Sequence, residues 1–306
     1  MNYYFAPLEG LTDRIYRKLH HQFFPGLDRY YLPFLSPTVH RELTPREAKD
    51  LPAADTLGYT AIPQLLTKVP EDFTWMAQQC AKLGYPEVNL NLGCPSGTVT
   101  AKGKGSGMLR DLDALDSFLY EIFKDAPLPV SVKTRIGFSE ETEFPAILEI
   151  LNRYPICQLT VHPRVRAAFY KGDVNMDMFT YAVEHAKAPL CYNGDLLCKE
   201  DIAKIRAQFP NVDAVMIGRG LIGDPGMLME NGTDIRVLEA FWDTLFDEYV
   251  ANFGGPRNAM FRLKEHWSYL ISHFENAEKL AKQLRKTTDL TQFKEITKQI
   301  LKTASE

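Results

Sequence analysis

Cysteine is scarce: five of 306 residues, Cys80, Cys94, Cys157, Cys191 and Cys198, with no Cys-x-x-Cys pair among them. That spacing excludes a disulfide framework and a cysteine-built zinc centre, so no metal site is expected and a reducing cytoplasm is the natural setting. Also missing is any uncharged stretch long enough to span a bilayer, and the start, Met-Asn-Tyr-Tyr-Phe-Ala-Pro, has no basic residue leading into an apolar run. A soluble, unexported protein without membrane contact is expected. Repeats and biased tracts are absent, and 45% hydrophobic with 11% aromatic residues excludes wholesale disorder. The length suits one barrel-sized domain plus an appendage.

The net charge of −4 speaks against a nucleic-acid partner, but it averages two unlike parts. Residues 257–306 hold ten basic side chains against six acidic ones, an excess of four, which leaves −8 for the remainder. A basic C-terminal unit beside an acidic body suits a polyanion binder, and a solvated helix face is the plain alternative.

Eight short apolar or β-branched runs recur along the chain: 2–6, 31–35, 59–66, 87–92, 128–134, 157–162, 189–193 and 213–217. Between them lie amphipathic stretches. Phe73, Met76, Ala77 and Cys80 share one helical face that ends at Gly84, and Leu115, Phe118, Leu119 and Ile122 share another behind a capping Asp111. Eight alternating strands and helices match an α/β fold of the (β/α)8 TIM-barrel type, with a doubly wound open sheet as runner-up. After Gly232 the strand pattern stops. Residues 1–234 are therefore expected to form the barrel, and 235–306 a small all-helical domain.

In such a barrel the chemistry lies at the C-terminal ends of the strands. There stand Asn91-Leu92-Gly93-Cys94-Pro95, Lys133 and Arg135, His162 with Arg164 and Arg166, Asn193-Gly194-Asp195, and Gly218-Arg219-Gly220. Glycine-bearing loops after the last two strands suit a phosphate site, to which Arg219 adds charge; the same glycines could simply turn the chain. Lys133 sits mid-strand among Val130, Val132 and Ile136, so it needs a partner: a structural ion pair, a Schiff-base role, or a cation for an anionic cofactor ring. Cys94 lies on a loop, whereas the other cysteines read as small core residues. His162 could be only a strand end. The run from Thr98 to Met108 is glycine-rich and basic, and is expected to move over an open site.

These motifs, in this order, together with Ala6-Pro7-Leu8-Glu9-Gly10, Gln64 and Lys133-Thr134-Arg135, resemble the FMN-dependent tRNA dihydrouridine synthases over essentially the whole chain. The resemblance implies FMN held by Pro7, Leu8, Glu9, Gln64, Lys133 and His162, with Asn193, Gly194, Asp195, Gly218 and Arg219 on its phosphate. It also implies Cys94 as the catalytic proton donor. Asn91, Arg135, Arg164 and Arg166, with Lys102 of the basic loop, are expected to face the uracil or its RNA. Leu8 and Pro163 depart from the family's commoner methionine and glycine, and the usual tryptophan after Tyr170 is missing. These departures bear on which uridine is chosen.

The expected activity is therefore reduction of the C5–C6 double bond of uridine in tRNA, with NADPH as reductant. A thiol suits the proton donor, being still protonated near neutrality at an ordinary pKa of about 8.5. The base must leave its stack to reach a barrel mouth. The partner expected is tRNA and not DNA, and the chain is expected to act as a monomer. Three other readings stand beside this one: a flavin dehydrogenase of a free pyrimidine such as dihydroorotate, a Schiff-base aldolase using Lys133, and a non-enzymatic tRNA chaperone.

Overall fold

The apolar runs become the strands of one parallel sheet in the computed structural model, which describes residues 1–274 and 277–303. The strands are β1 (Asn2–Phe5), β2 (Arg29–Tyr31), β3 (Ala61–Ile62), β4 (Gln64–Leu65), β5 (Val88–Leu92), β6 (Val130–Gly137), β7 (Leu159–Val165), β8 (Leu190–Tyr192) and β9 (Ala214–Ile217). Their spatial order is β3-β2-β1-β9-β8-β7-β6-β5-β4. Only Pro63 separates β3 from β4. Having no N–H, it breaks the ladder, yet its carbonyl still accepts from Asn89 N at 2.8 Å. Because β3 pairs with β2 and β4 with β5, the broken strand joins the two ends of the order. The sheet closes, and the nine pieces make the eight strands of a (β/α)8 barrel.

Most strands lie where the runs predict them. The second run is displaced: β2 covers Arg29–Tyr31, ahead of the expected 31–35, because Pro33 cannot donate to a ladder and Leu35 returns only as an isolated bridge to Leu65. Strand β7 runs on through Pro163, and its register against β6 shifts between Arg135 and Gly137. The helices cover the barrel as their stripes require. Pro70–Lys82 buries Phe73, Met76, Ala77 and Cys80. Leu112–Lys124 starts at Asp111, whose side chain accepts from Ala114 N at 3.0 Å, and buries Leu115, Phe118, Leu119 and Ile122. Each of the buried Phe, Met, Leu and Ile side chains contributes about 1.5–3 kcal/mol of transfer free energy.

The chain divides into two compact units. The first comprises 1–7, 28–194 and 204–216; the second comprises 8–27, 195–203 and 217–306. In the second unit, helices Arg14–Phe23, Ile235–Asn252 and Pro256–Leu270 enclose an aromatic core. There Tyr16 stacks on His266 at 4.9 Å between ring centroids and meets Phe241 edge-on at 5.5 Å. Helices Glu278–Lys286 and Leu290–Thr303 follow. No helix among the described residues is long and apolar enough to cross a membrane.

Candidate active site

Alternation along a strand sends every second side chain to the barrel interior. Register pairs in the first unit link Gln64 to Asn89, Asn89 to Ser131, Asn91 to Lys133, Lys133 to Thr160 and Arg135 to His162. Paired residues share a face, so the interior along β4–β7 is polar. The rest of the lining is a buried cluster of Tyr4, Ala6, Tyr31, Ile62, Cys191, Ala214 and Met216.

The buried amides form a relay. Asn89 donates to Ser131 Oγ at 2.8 Å, Gln64 donates to Asn89 Oδ1 at 2.8 Å, and Asn91 donates to Gln64 Oε1 at 2.7 Å. Asn91 Oδ1 in turn accepts from the backbone N–H of Gly93 at 3.0 Å and of Cys94 at 2.8 Å. One carboxamide thus holds the cysteine loop to the strand before it. Asn91 is itself buried, so its side chain orients Cys94 from beneath.

The second half of the segment after Cys94 is packed into the protein, while Thr98, Ala101 and Lys102 stay exposed. Residues Gly105–Leu109 are buried, and Ser106 holds the Cys94 carbonyl through both its N–H at 3.2 Å and its hydroxyl at 2.7 Å. A Cβ on Gly105, which has φ of +58°, would stand 3.0 Å from Cys94 Cβ, and one on Gly107 would stand 2.9 Å from Thr100 O. These glycines permit close packing. Lys102 remains exposed on the turn.

Lys133 is half-buried, and its ammonium is pushed down to about 8, first by burial and then by the neighbouring Arg135 guanidinium. The thiols of Cys191 and Cys94 act in the opposite direction, and no carboxylate is among the groups acting on it. Among the described residues no ion pair of Lys133 is seen. A half-buried cation with no carboxylate beside it among the described residues suits an anion or a polarised ring.

The arginines expected to face RNA are engaged within the protein. Arg135 Nε donates to Gly93 O at 3.0 Å and Nη1 to Val165 O at 2.9 Å, with its guanidinium 5.4 Å from the Tyr170 ring centroid. Burial leads the shift that takes Arg135 down to about 10. Arg166 reaches Pro95 O at 3.2 Å and Thr100 Oγ1 at 3.3 Å, between the rings of Phe138 and Phe169. Arg164 donates to Gly172 O at 2.6 Å and lies 3.2 Å from His162 Nε2. A guanidinium can only donate, so His162 accepts through Nε2 and carries its proton on Nδ1. Together these side chains tie the Cys94 loop to the loop after β7. Asn89, Ser131 and Ser106 were not anticipated, although the alternation in Val-Asn-Leu-Asn-Leu marks Asn89 as an inward amide.

The proposed phosphate residues fall in both units. Within the first, Pro7 closes β1, and Asn193 Nδ2 donates to Met216 O at 2.7 Å. A Cβ on Gly194 would stand 2.9 Å from Val174 Cγ1 and 3.1 Å from the Tyr192 hydroxyl, so a larger residue would need those side chains to shift. Within the second, Arg219 pairs with Asp195 at 2.7 Å, and Leu8 N donates to Thr12 Oγ1 at 2.9 Å. Glu9 and Gly218 belong to this unit as well.

A family model described as dihydrouridine synthase matches residues 4–305. The chain is 30% identical over 228 residues to a tRNA-dihydrouridine synthase B of Proteus vulgaris, covering 74% of this chain and 69% of the relative. It is 28% identical over 281 residues to a probable tRNA-dihydrouridine synthase of Rhizobium leguminosarum bv. phaseoli, covering 89% and 86%. Among solved structures, it is similar to an NCR variant from Zymomonas mobilis, with a TM-score of 0.52 at 15% identity over 78% of this chain and 87% of that one. Histamine dehydrogenase from Rhizobium sp. 4-9 gives 0.56 at 11% identity over 88% and 49%. At those identities the likeness is one of fold.

Proposed function

Because this chain belongs to the dihydrouridine synthase family, we propose that its flavin is FMN, its reductant NADPH, and its working unit a single copy of the chain in the cytoplasm. The protein is a flavin-dependent oxidoreductase that reduces uridine in tRNA; the family match does not favour a dehydrogenase of free pyrimidines. What supports the reading most directly is one arrangement. Lys133 and Arg135, two cations of β6, both act electrostatically on the Cys94 thiol, and Asn91 holds that thiol's loop against the same strand end.

The barrel lining fits a flavin, since an amphipathic ring system needs a polar edge and an apolar face, and the interior offers both. Gln64, Lys133 and His162 would meet the polar edge, with Pro7, Asn193 and Gly194 as the first unit's other contacts. Leu8, Glu9, Asp195, Gly218 and Arg219 are proposed for the second unit on the resemblance alone. The bound flavin supplies the hydride that reaches C6 of the uracil. Cys94 gives its thiol proton to C5, completing reduction of the double bond, and the sulfur then recovers a proton from water. Lys133 and Arg135 stabilise the negative charge left on that sulfur between the two events. Arg135, Arg164 and Arg166 hold the two loops between which the base enters, and Asn91 sets the thiol's position.

Residues 235–306 are proposed as the tRNA-binding domain. Lys279, Lys282, Arg285 and Lys286 stand exposed on helix Glu278–Lys286, where they can neutralise phosphates. Two experiments test the whole reading. Release of the cofactor from purified protein should yield FMN, and FAD or no flavin would refute that part. Mapping dihydrouridine in tRNA from cells lacking the gene should show at least one lost position.

A further inference from the structure

Three lysines of the first unit gather beside the cysteine loop. Lys68 follows β4, and its Cδ and Nζ lie 3.5 Å from where a Cβ of Gly103 would stand. Lys104 donates to Ser36 Oγ at 3.0 Å, and that hydroxyl donates to Leu66 O at 2.9 Å. Lys102 is exposed on the turn between them. After burial, repulsion from Lys102 and Lys68 acts to lower the Lys104 pKa, opposed by Asp72. Asp72 is already shared with Arg41 at 3.2 Å. The nearby Glu47 carboxylate accepts from Ser36 N at 2.9 Å and from Thr44 N at 2.9 Å, so it is engaged with the backbone.

Like charges held together without matching carboxylates repel, and an arriving anion relieves that repulsion. The cluster's position shows which anion can arrive. Lys104 immediately precedes Gly105 and Ser106, the residues packed on and bonded to Cys94. A uridine delivered to that thiol brings its flanking phosphates to the same rim. Arg135, Arg164 and Arg166 already direct donors to Gly93, Val165, Gly172 and Pro95, which leaves fewer of them for a phosphate. Lysines on flexible stems suit a phosphate that needs charge rather than a planar fork.

We propose that Lys68, Lys102 and Lys104 form a phosphate subsite that grips the tRNA backbone next to the reacting uridine. The subsite rests on the tRNA reading above and deepens it. Because Lys104 adjoins the clasp on Cys94, backbone binding also steadies the turn that carries the proton donor.

The test uses the full-length holoprotein and an unmodified tRNA transcript, with binding measured across a salt series. Lys68→Gln with Lys104→Gln should lower the slope of log K against log salt by about 1.5, since each phosphate contact on RNA contributes roughly 0.7 to 0.9. Affinity at low salt should fall about tenfold, and Lys68→Arg with Lys104→Arg should restore both. Lys68→Gln alone breaks no hydrogen bond among the described residues, so it should still show about half of the slope change if the double variant folds poorly. Reduction of the flavin by NADPH should keep its wild-type dependence on NADPH concentration. A Gln pair with the wild-type slope overturns the subsite, and so does a weakened response to NADPH with an unaltered RNA slope. Wild-type protein that neither binds tRNA nor is reoxidised by it would instead overturn the tRNA reading.

Discussion

Two halves of one barrel lining carry opposite chemistry. Along β4–β7 the interior residues are Gln64, Asn89, Asn91, Ser131, Lys133, Arg135, Thr160 and His162; along the other strands they are Tyr4, Ala6, Tyr31, Ile62, Cys191, Ala214 and Met216. Both halves are built from parallel strands of one sheet. The apolar half contributes transfer free energy with little desolvation cost, whereas each buried amide of the polar half must find partners or cost about 1–3 kcal/mol. The relay from Ser131 to Cys94 N meets that demand. A stability-driven interior would use aliphatic residues all round, which is why the proposed site is placed on the polar half. A second polar group lies at the opposite, N-terminal end of the strands, where Arg29 pairs with Glu87 at 2.7 Å and Tyr4 and Tyr31 both meet Gln158 at 3.3 Å. At that end of a barrel, such a network serves stability.

The largest effect should come from the thiol. Cys94→Ala is expected to slow tRNA-dependent flavin reoxidation by about 10²-fold or more, the usual contribution of a positioned general acid, while reduction by NADPH stays near wild type. Stopped-flow absorbance separates the two half-reactions, and unchanged reoxidation would remove Cys94 from the mechanism. Next comes the carboxamide beneath it. Asn91→Leu loses the bond to Gln64 and leaves Gly93 N and Cys94 N without their acceptor. Reoxidation should slow about tenfold, and stability in urea should drop by about 2 kcal/mol. If the rate held while stability fell, the relay would be scaffolding with no bearing on the thiol.

Much of this comparison was visible in the chain before folding. All eight runs gave rise to strands, and Gly93-Cys94-Pro95 follows the end of β5, whereas Lys133 and His162 stand within β6 and β7, because both strands run on past the apolar residues that marked them. What stayed hidden has physical causes. Pro33 displaced β2, because the loss of one N–H outweighs a favourable run of side chains. The glycines of 105 and 107 looked like hinges, since a sequence does not show whether a missing Cβ serves motion or close contact. That Arg135 and Arg166 also reach the carbonyls of Gly93, Val165 and Pro95 was not legible, because only the fold brings those groups together. Lys68 and Lys104 were overlooked for the same reason: their approach depends on two loops separated by 36 residues meeting at Gly103.

A smaller, pH-dependent effect tests the cation of the polar half. With Lys133 at about 8 in the free protein, its charged form predominates below that pH and is lost above it. Flavin that binds through this cation must take up a proton above pH 8, so apparent affinity should fall by up to about tenfold per pH unit from there. Lys133→Arg, whose guanidinium stays charged, should give a flatter profile over the same range. Fluorescence titration of the flavin at pH 7, 8, 9 and 9.5 reads the difference directly. Identical profiles would mean that the Lys133 charge is not what holds the cofactor.

The smallest effect belongs to the apolar half, at the seam where the two linings meet. Ile62 and Gln64 flank Pro63 in the one broken strand and are both buried, yet Ile62 joins the apolar cluster while Gln64 carries the amide relay. Removing one methyl group in Ile62→Val should cost about 0.5–1.5 kcal/mol, visible as a lower urea midpoint with an unaltered slope. Because the lost atoms donate and accept nothing, flavin content and both half-reactions should remain near wild type. Gln64→Leu, two residues along, keeps a comparable volume but leaves Asn89 and Asn91 each short of a partner. That neighbour should therefore lose both stability and the rate of reoxidation. A rate loss in Ile62→Val as large as in Gln64→Leu would erase the distinction, because packing at the seam would then govern the chemistry as strongly as the polar relay does.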